Sequence, residues 1–172
     1  MDSDQIARQV TGPGGAAIAA IAQRFGPEFV DDTGALDRGR MRELAYSTPE
    51  ARAALEAIVH PLVSLHSSQQ AQAAEDAGKR VIVFDVPLLV ESGRWVQRLD
   101  AVIVIDCPPA LQIQRVMSRS GLNRSTVEAI LAAQSPRNIR RASADIVVHN
   151  GDNCTLADLH KMAEQVATRL GL

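Results

Sequence analysis

Three short runs rich in β-branched residues constrain this chain more than anything else in it. They are Val81-Ile82-Val83-Phe84-Asp85-Val86-Pro87-Leu88-Leu89, Ala101-Val102-Ile103-Val104-Ile105-Asp106 and Asp145-Ile146-Val147-Val148. Each is continuously apolar rather than alternating, so each predicts a strand covered on both faces. That is the pattern of a parallel sheet sandwiched by helices, an α/β fold. Helical segments surround the runs. Ala16 to Phe25 follows the loop Gly12-Pro13-Gly14-Gly15, and Ser47-x-x-Glu50 reads as a capping box with Pro49 in the first turn. That helix is expected to reach about Val59, with a further one from Pro61 toward Ala77. A second box, Ser125-x-x-Glu128, opens a helix to Gln134, and the last helix sets Leu156, Leu159, Met162, Ala163, Val166 and Leu170 on one core-facing stripe. The helical stretch from 14 to 77 suits a small lobe over one end of the sheet.

Size and charge remove several function classes. The chain has 172 residues, 46% hydrophobic and 22% charged, with a net charge of −2. The charges are interspersed, which argues against a nucleic-acid binder. No apolar run approaches the roughly 18 residues of a membrane span, and Met1-Asp2-Ser3-Asp4-Gln5 is nothing like a signal peptide. Cys107 and Cys154 have no Cys/His neighbours at metal-ligand spacing, so they are expected to be reduced, as in a cytoplasmic protein. Oligomeric state has no signal here.

Four clusters carry the chemistry. Asp2-Ser3-Asp4 with Arg8 sets two carboxylates and a guanidinium beside a Gly/Pro loop. One carboxylate of such a set can accept a hydroxyl proton while the arginine holds phosphate; on composition alone the segment also reads as a solvated acidic terminus. Asp85 ends four apolar residues, as in a strand whose terminal carboxylate faces magnesium and phosphates. Asp106 has the same pattern, so the pattern alone does not discriminate. Arg115, Arg119, Arg124, Arg137, Arg140 and Arg141 form a third set. Arg115 and Arg119 share a helix face, as do Arg137 and Arg140. Converging guanidiniums suit a lid over a transferring phosphoryl group, and arginines on helix faces are also commonly just solvated. His60-Pro61 is the fourth, with no triad or metal partner, so a structural or substrate-contacting role is expected.

In their order along the chain, these pieces resemble the dephospho-CoA kinase family. The blocks are Asp2-x-Asp4-x-x-Ala7-Arg8, Phe25-Gly26, Gly34-x-Leu36-Asp37-Arg38, Leu55-Glu56 leading to His60-Pro61, and Val86-Pro87-Leu88-Leu89-Val90-Glu91. Gln112 to Arg119 with Gly121, Gln134 leading to Arg137 and Arg140, and Ala144-Asp145 with Asn150-Gly151 complete the set. The resemblance implies a P-loop kinase-type fold with a helical substrate lobe (about 10–77), a sheet core (about 78–110 and 144–172) and a lid (about 111–143). It implies transfer of the γ-phosphate of ATP to the 3′-hydroxyl of dephospho-CoA, the last step of coenzyme A synthesis, with Mg²⁺ and no membrane or nucleic-acid partner. Asp2 then matches the general base and Arg140 a phosphate contact. Asp4, Arg8, His60, Pro87 and Glu91 fall in the substrate site, Arg115, Arg119 and Arg137 in the lid and ATP site, and Asp85 near the metal. Where Ser64 stands the family often has arginine or glutamine, so no contact is assigned there.

The departure from the family is at the front. No G-x-x-x-x-G-K-[ST] loop, and no G-K-[ST] tripeptide, occurs in the chain. The expectation is therefore a truncation of about one strand–loop–helix unit, roughly 30 residues. Little or no kinase activity and marginal stability follow for this chain alone. The family usually has valine or isoleucine where Met1 stands, and a GTG valine codon read as an initiator would appear as Met. Two other readings remain: a non-catalytic remnant that binds coenzyme A or nucleotide, and another P-loop kinase acting on a nucleoside or nucleotide.

Overall fold

The computed structural model describes residues 1–93 and 98–172. The chain divides into two units, Met1–Pro87 and Leu88–Leu172.

The first unit is helical. Helices α1 (Ser3–Val10), α2 (Ile18–Phe25), α3 (Arg38–Ser47) and α4 (Pro49–Asp76) precede a segment to Pro87. Ile6 and Val10, four apart on α1, are both 2% exposed, and α1 packs on α4. Ala17, Ile21, Leu36 and Met41 form the centre of the core, ringed by Phe25, Phe29, Leu55, Ile58, Val59 and Leu62. The turn between α1 and α2 needs glycine at position 15, where any Cβ would collide with the carbonyl of Val10.

Two expectations for this unit are corrected. Ser47 caps nothing: it is the last residue of α3, and its hydroxyl donates to the carbonyls of Glu43 and Leu44. Thr48 is the N-cap of α4, and Pro49 occupies the first turn. The break expected at His60-Pro61 is absent, and α4 runs 28 residues with Pro61 inside it. Leu55, Ile58, Val59 and Leu62 recur at helical spacing on both sides of the proline and face the same core. Keeping that face buried outweighs one lost hydrogen bond. Pro61→Ala restores an N–H to the helix interior, offset by a looser unfolded chain. It is expected to raise stability by about 1–2 kcal/mol, read from the urea midpoint; an unchanged or lower midpoint contradicts this account.

Among the described residues, the run expected as the strongest strand forms no ladder. Its pairing is one parallel bridge, Asp2 with Asp85. The Met1 ammonium donates to the Val83 carbonyl at 2.6 Å, Asp85 N–H to Met1 at 2.7 Å and Ser3 N–H to Asp85 at 3.1 Å. Val81 and Val83 are 40% and 66% exposed, so the two-sided cover read from the sequence is not met there. Leu89 leaves the run altogether and starts a short helix, α5 (Leu89–Ser92).

The second unit carries the sheet. Strands β1 (Ile103–Asp106) and β2 (Ile146–His149) pair in parallel, Ile103 opposite Ile146 and Asp106 opposite His149. Between them run α6 (Pro109–Ser120), α7 (Arg124–Ala132) and α8 (Arg137–Ala142); α9 (Leu156–Arg169) follows β2. Gly121 ends α6 in the left-handed conformation, φ +67°. Asn123, not Ser125, caps α7 by accepting from Thr126 N–H, while Glu128 pairs with Arg124. The capping box that forms is Thr155 with Asp158, opening α9. The stripe expected on α9 is only half realised: Leu159, Met162 and Val166 are half-buried, but Ala163, Leu156 and Leu170 are exposed. Val102, Leu111, Ile113, Val127 and Val148 form the buried interior, and Ile105 on β1 stays open to solvent. Together the units make an α/β protein whose parallel strands are accompanied by helices.

Candidate active site

Two groups of polar side chains occur, one in each unit. In the first unit, Asp2 does two things. Its backbone bridges Asp85, and its carboxylate caps α1 by accepting from Gln5 N–H at 2.9 Å. The cap fixes the direction of α1, so Asp4 in the first turn and Arg8 in the last lie four apart on one face. Asp2, Asp4, Arg8 and Asp85 are all solvent-exposed. The structure thus brings the backbone of Asp2 beside that of Asp85, which sequence spacing could not do across 83 positions. His60 is exposed within α4, and Pro87 is exposed at the end of the unit. Among the described residues no group of three or more His, Cys, Asp or Glu gathers to hold a metal.

The second group is gathered at the C-terminal ends of β1 and β2, where open α/β sheets bind ligands. Asp106, 5% exposed, accepts a two-pronged hydrogen bond from Arg137: Nε to Oδ1 at 2.7 Å and Nη2 to Oδ2 at 2.6 Å. His149 Nδ1 stands 3.5 Å from the same Oδ2. The hydrogen bonds from Arg137, opposed by burial, together with its charge, His149 and the charge of Arg141, hold the Asp106 carboxyl at about 2. Arg115 reaches from α6 to the loop after β2. Its Nη1 donates to Asn150 Oδ1 at 2.9 Å and to the Asn150 carbonyl at 3.2 Å, and its Nη2 to the Gly151 carbonyl at 3.1 Å. Arg140 donates to Gln134 Oε1 at 2.9 Å. Glu91 accepts from Ser135 N–H at 2.7 Å. Burial works to raise its carboxyl, but the hydrogen bonds and the charge of Arg140 leave it below the usual range. Arg119 stands exposed in the last turn of α6. Cys107 and Cys154 are both free thiols.

Of the residues singled out from sequence, Arg115, Arg137, Arg140 and Glu91 thus have defined partners. Asp106 and His149 were not singled out for a role. Asp106 carried a signal, the same apolar run ending in a carboxylate that marked Asp85; His149 carried none. Their pairing comes from the strand register that sets residue 106 beside residue 149.

Carboxylates at strand ends and arginines on the following helices define an α/β protein with a charged site at the C-terminal end of its strands. Comparison with known proteins makes this specific. The family model "Dephospho-CoA kinase" matches residues 1–155. A dephospho-CoA kinase of Albidiferax ferrireducens is 50% identical over 172 residues, covering 100% of this chain and 81% of the relative. One from Bordetella pertussis is 50% identical over 158 residues, 92% of this chain and 72% of the relative. The crystal structure of TT1252 from Thermus thermophilus superposes with a TM-score of 0.74 at 32% identity, over 99% of this chain and 83% of that one. A dephospho-CoA kinase from Campylobacter jejuni shares the fold at a TM-score of 0.69 and 24% identity, again over 99% and 83% of the two chains. This chain belongs to the dephospho-CoA kinase family.

Proposed function

We propose that the protein transfers the γ-phosphate of ATP to the 3′-hydroxyl of dephospho-CoA, completing coenzyme A in the cytoplasm. The observation that carries this reading is the meeting of Asp2 with Asp85 on one parallel bridge, at the point where α1 begins. Asp2 accepts the proton of the attacking hydroxyl, which makes the ribose oxygen a better nucleophile. Asp4 and Arg8, on one face of α1, contact dephospho-CoA, with His60, Pro87 and Glu91 as further contacts. Arg115, Arg119, Arg137 and Arg140 belong to the ATP and lid side, and Arg140 meets transferring phosphate. Residues of about 10–77 form the substrate lobe and about 111–143 the lid. About 78–110 and 144–172 form the sheet core.

ATP chemistry implies magnesium. Mg²⁺ takes hard oxygen ligands, commonly one or two carboxylates completed by phosphate oxygens and water. The exposed carboxylate of Asp85 fits that donor set. Bound there, the ion would offset phosphate charge.

The sequence holds no lysine-bearing glycine loop. Such a loop supplies backbone N–H groups and a cation to the phosphates, so turnover by these 172 residues alone is expected to be low. Two calorimetric titrations test the reading. A kinase gives heat with dephospho-CoA and a weaker signal with MgATP. A non-catalytic remnant gives heat with dephospho-CoA alone, and that result would replace this proposal with the remnant.

A further inference from the structure

The buried Asp106 does more than end β1. Its carboxylate is the most enclosed acidic group among the described residues, at 5% exposure, and both its oxygens go to the guanidinium of Arg137. Arg137 is the first residue of α8, directly after Ser135 and Pro136. The turn ahead of it is held separately, because Ser135 N–H donates to Glu91. Arg140, one helical turn on, is steadied by Gln134 from the same turn. Among the hydrogen bonds and ion pairs of the described residues, the tie from this arginine-bearing corner to the sheet is therefore Asp106. A two-pronged carboxylate–guanidinium pair fixes direction as well as distance, so the tie determines how α8 is rotated against the strand ends.

We propose that Asp106 is a positioning residue for phosphoryl transfer: through Arg137 it sets α8, and hence Arg140, at the place where ATP phosphates are met. Asp106 itself does not touch substrate, since its oxygens are occupied and enclosed. The assignment rests on the kinase reading above. It also separates the arginines by role. Arg137 is a strut whose fork is already filled by the protein, and Arg140, held by one neutral amide oxygen, keeps donors for a ligand.

The test compares the whole chain with Asp106→Asn, Arg137→Lys and the double variant, titrating MgATP and dephospho-CoA separately and recording thermal unfolding for each. Asp106→Asn keeps the shape and one acceptor but loses the charge; Arg137→Lys keeps the charge but loses the fork. Either single change is expected to weaken MgATP binding at least tenfold while dephospho-CoA binding stays within twofold. The double variant should be no weaker than the worse single one, since both act through one tie. MgATP binding within twofold of the parent in Asp106→Asn overturns the proposal. So does equal weakening of both ligands, which marks a general loss of fold, or additive losses in the double variant. Should Asp106→Asn not fold, Arg137→Lys alone decides by the same thresholds. A parent chain that binds dephospho-CoA but no MgATP refutes the kinase reading itself, and the positioning role falls with it.

Discussion

Asp2→Asn is expected to cut phosphoryl transfer by roughly 10²–10⁴-fold, the usual range for removing a general base, with the fold intact. The substitution is informative because it separates the observed cap role of Asp2 from its proposed role as a base. As the N-cap of α1 it offers Oδ1 to Gln5 N–H, and asparagine caps about as well as aspartate. As a base it needs a carboxylate, which asparagine lacks. Asp2→Ala removes both and should also cost about 1 kcal/mol of stability. A single-turnover assay with the chain in excess over labelled ATP reads even slow transfer. If Asp2→Asn transfers phosphate at the parent rate, Asp2 is a cap only, and the base must be sought among Asp4 and Asp85.

Arg137→Ala is expected to lower stability at neutral pH, because it strips the partner from the enclosed Asp106 carboxylate. Stripping the partner from a fully buried charge costs about 3–5 kcal/mol, and Arg137 is 35% exposed, so water moderates the loss. The same pair predicts the acid response. The Asp106 carboxyl is held at about 2, against 3.8 ordinarily. The folded state therefore binds this proton less readily than the unfolded one. Its contribution is fully present above about pH 4 and is lost as pH falls through about 2, where it has supplied about 1–2 kcal/mol after solvent screening. The stability gap between parent and Arg137→Ala should accordingly narrow as pH drops from 5 to 2 in urea titrations. A gap independent of pH over that range would mean the Asp106–Arg137 pair contributes nothing net, with loss of packing explaining the variant.

Asp106 also shows what sequence reasoning can and cannot reach. Apolar runs at 101–106 and 145–148 announced two parallel strands covered on both faces; both strands formed, but Ile103, Ile105 and Val147 stay exposed. The stretch of α4 was expected as two helices parted at Pro61, but apolar content and periodicity placed α2 and α9 to within a few residues. These succeed because burial pattern is a local property that repeats along the chain. Local signals failed where two readings of equal strength competed. Ser47 and Thr48 are both good caps, and Ser125 lies two residues from the better-placed Asn123; only which residue leaves helical geometry decides between them. Pro61 reads as a breaker in any window, yet the apolar residues around it share one core face.

By itself, then, the order of residues determined the family, the α/β class and most of the polar residues worth suspecting, because motif order and apolar periodicity are written in one dimension. Tertiary structure alone decided partners. Among the described residues the 81–89 run carries a single parallel bridge, Asp85 with Asp2. Asp2 met Asp85 across 83 positions, and Asp106 met Arg137 across 31. Whether a carboxylate is exposed, as Asp2 and Asp85 are, or enclosed, as Asp106 is, depends on where the fold places it and on the guanidinium beside it. Neither is a property of the residue or of its neighbours in sequence.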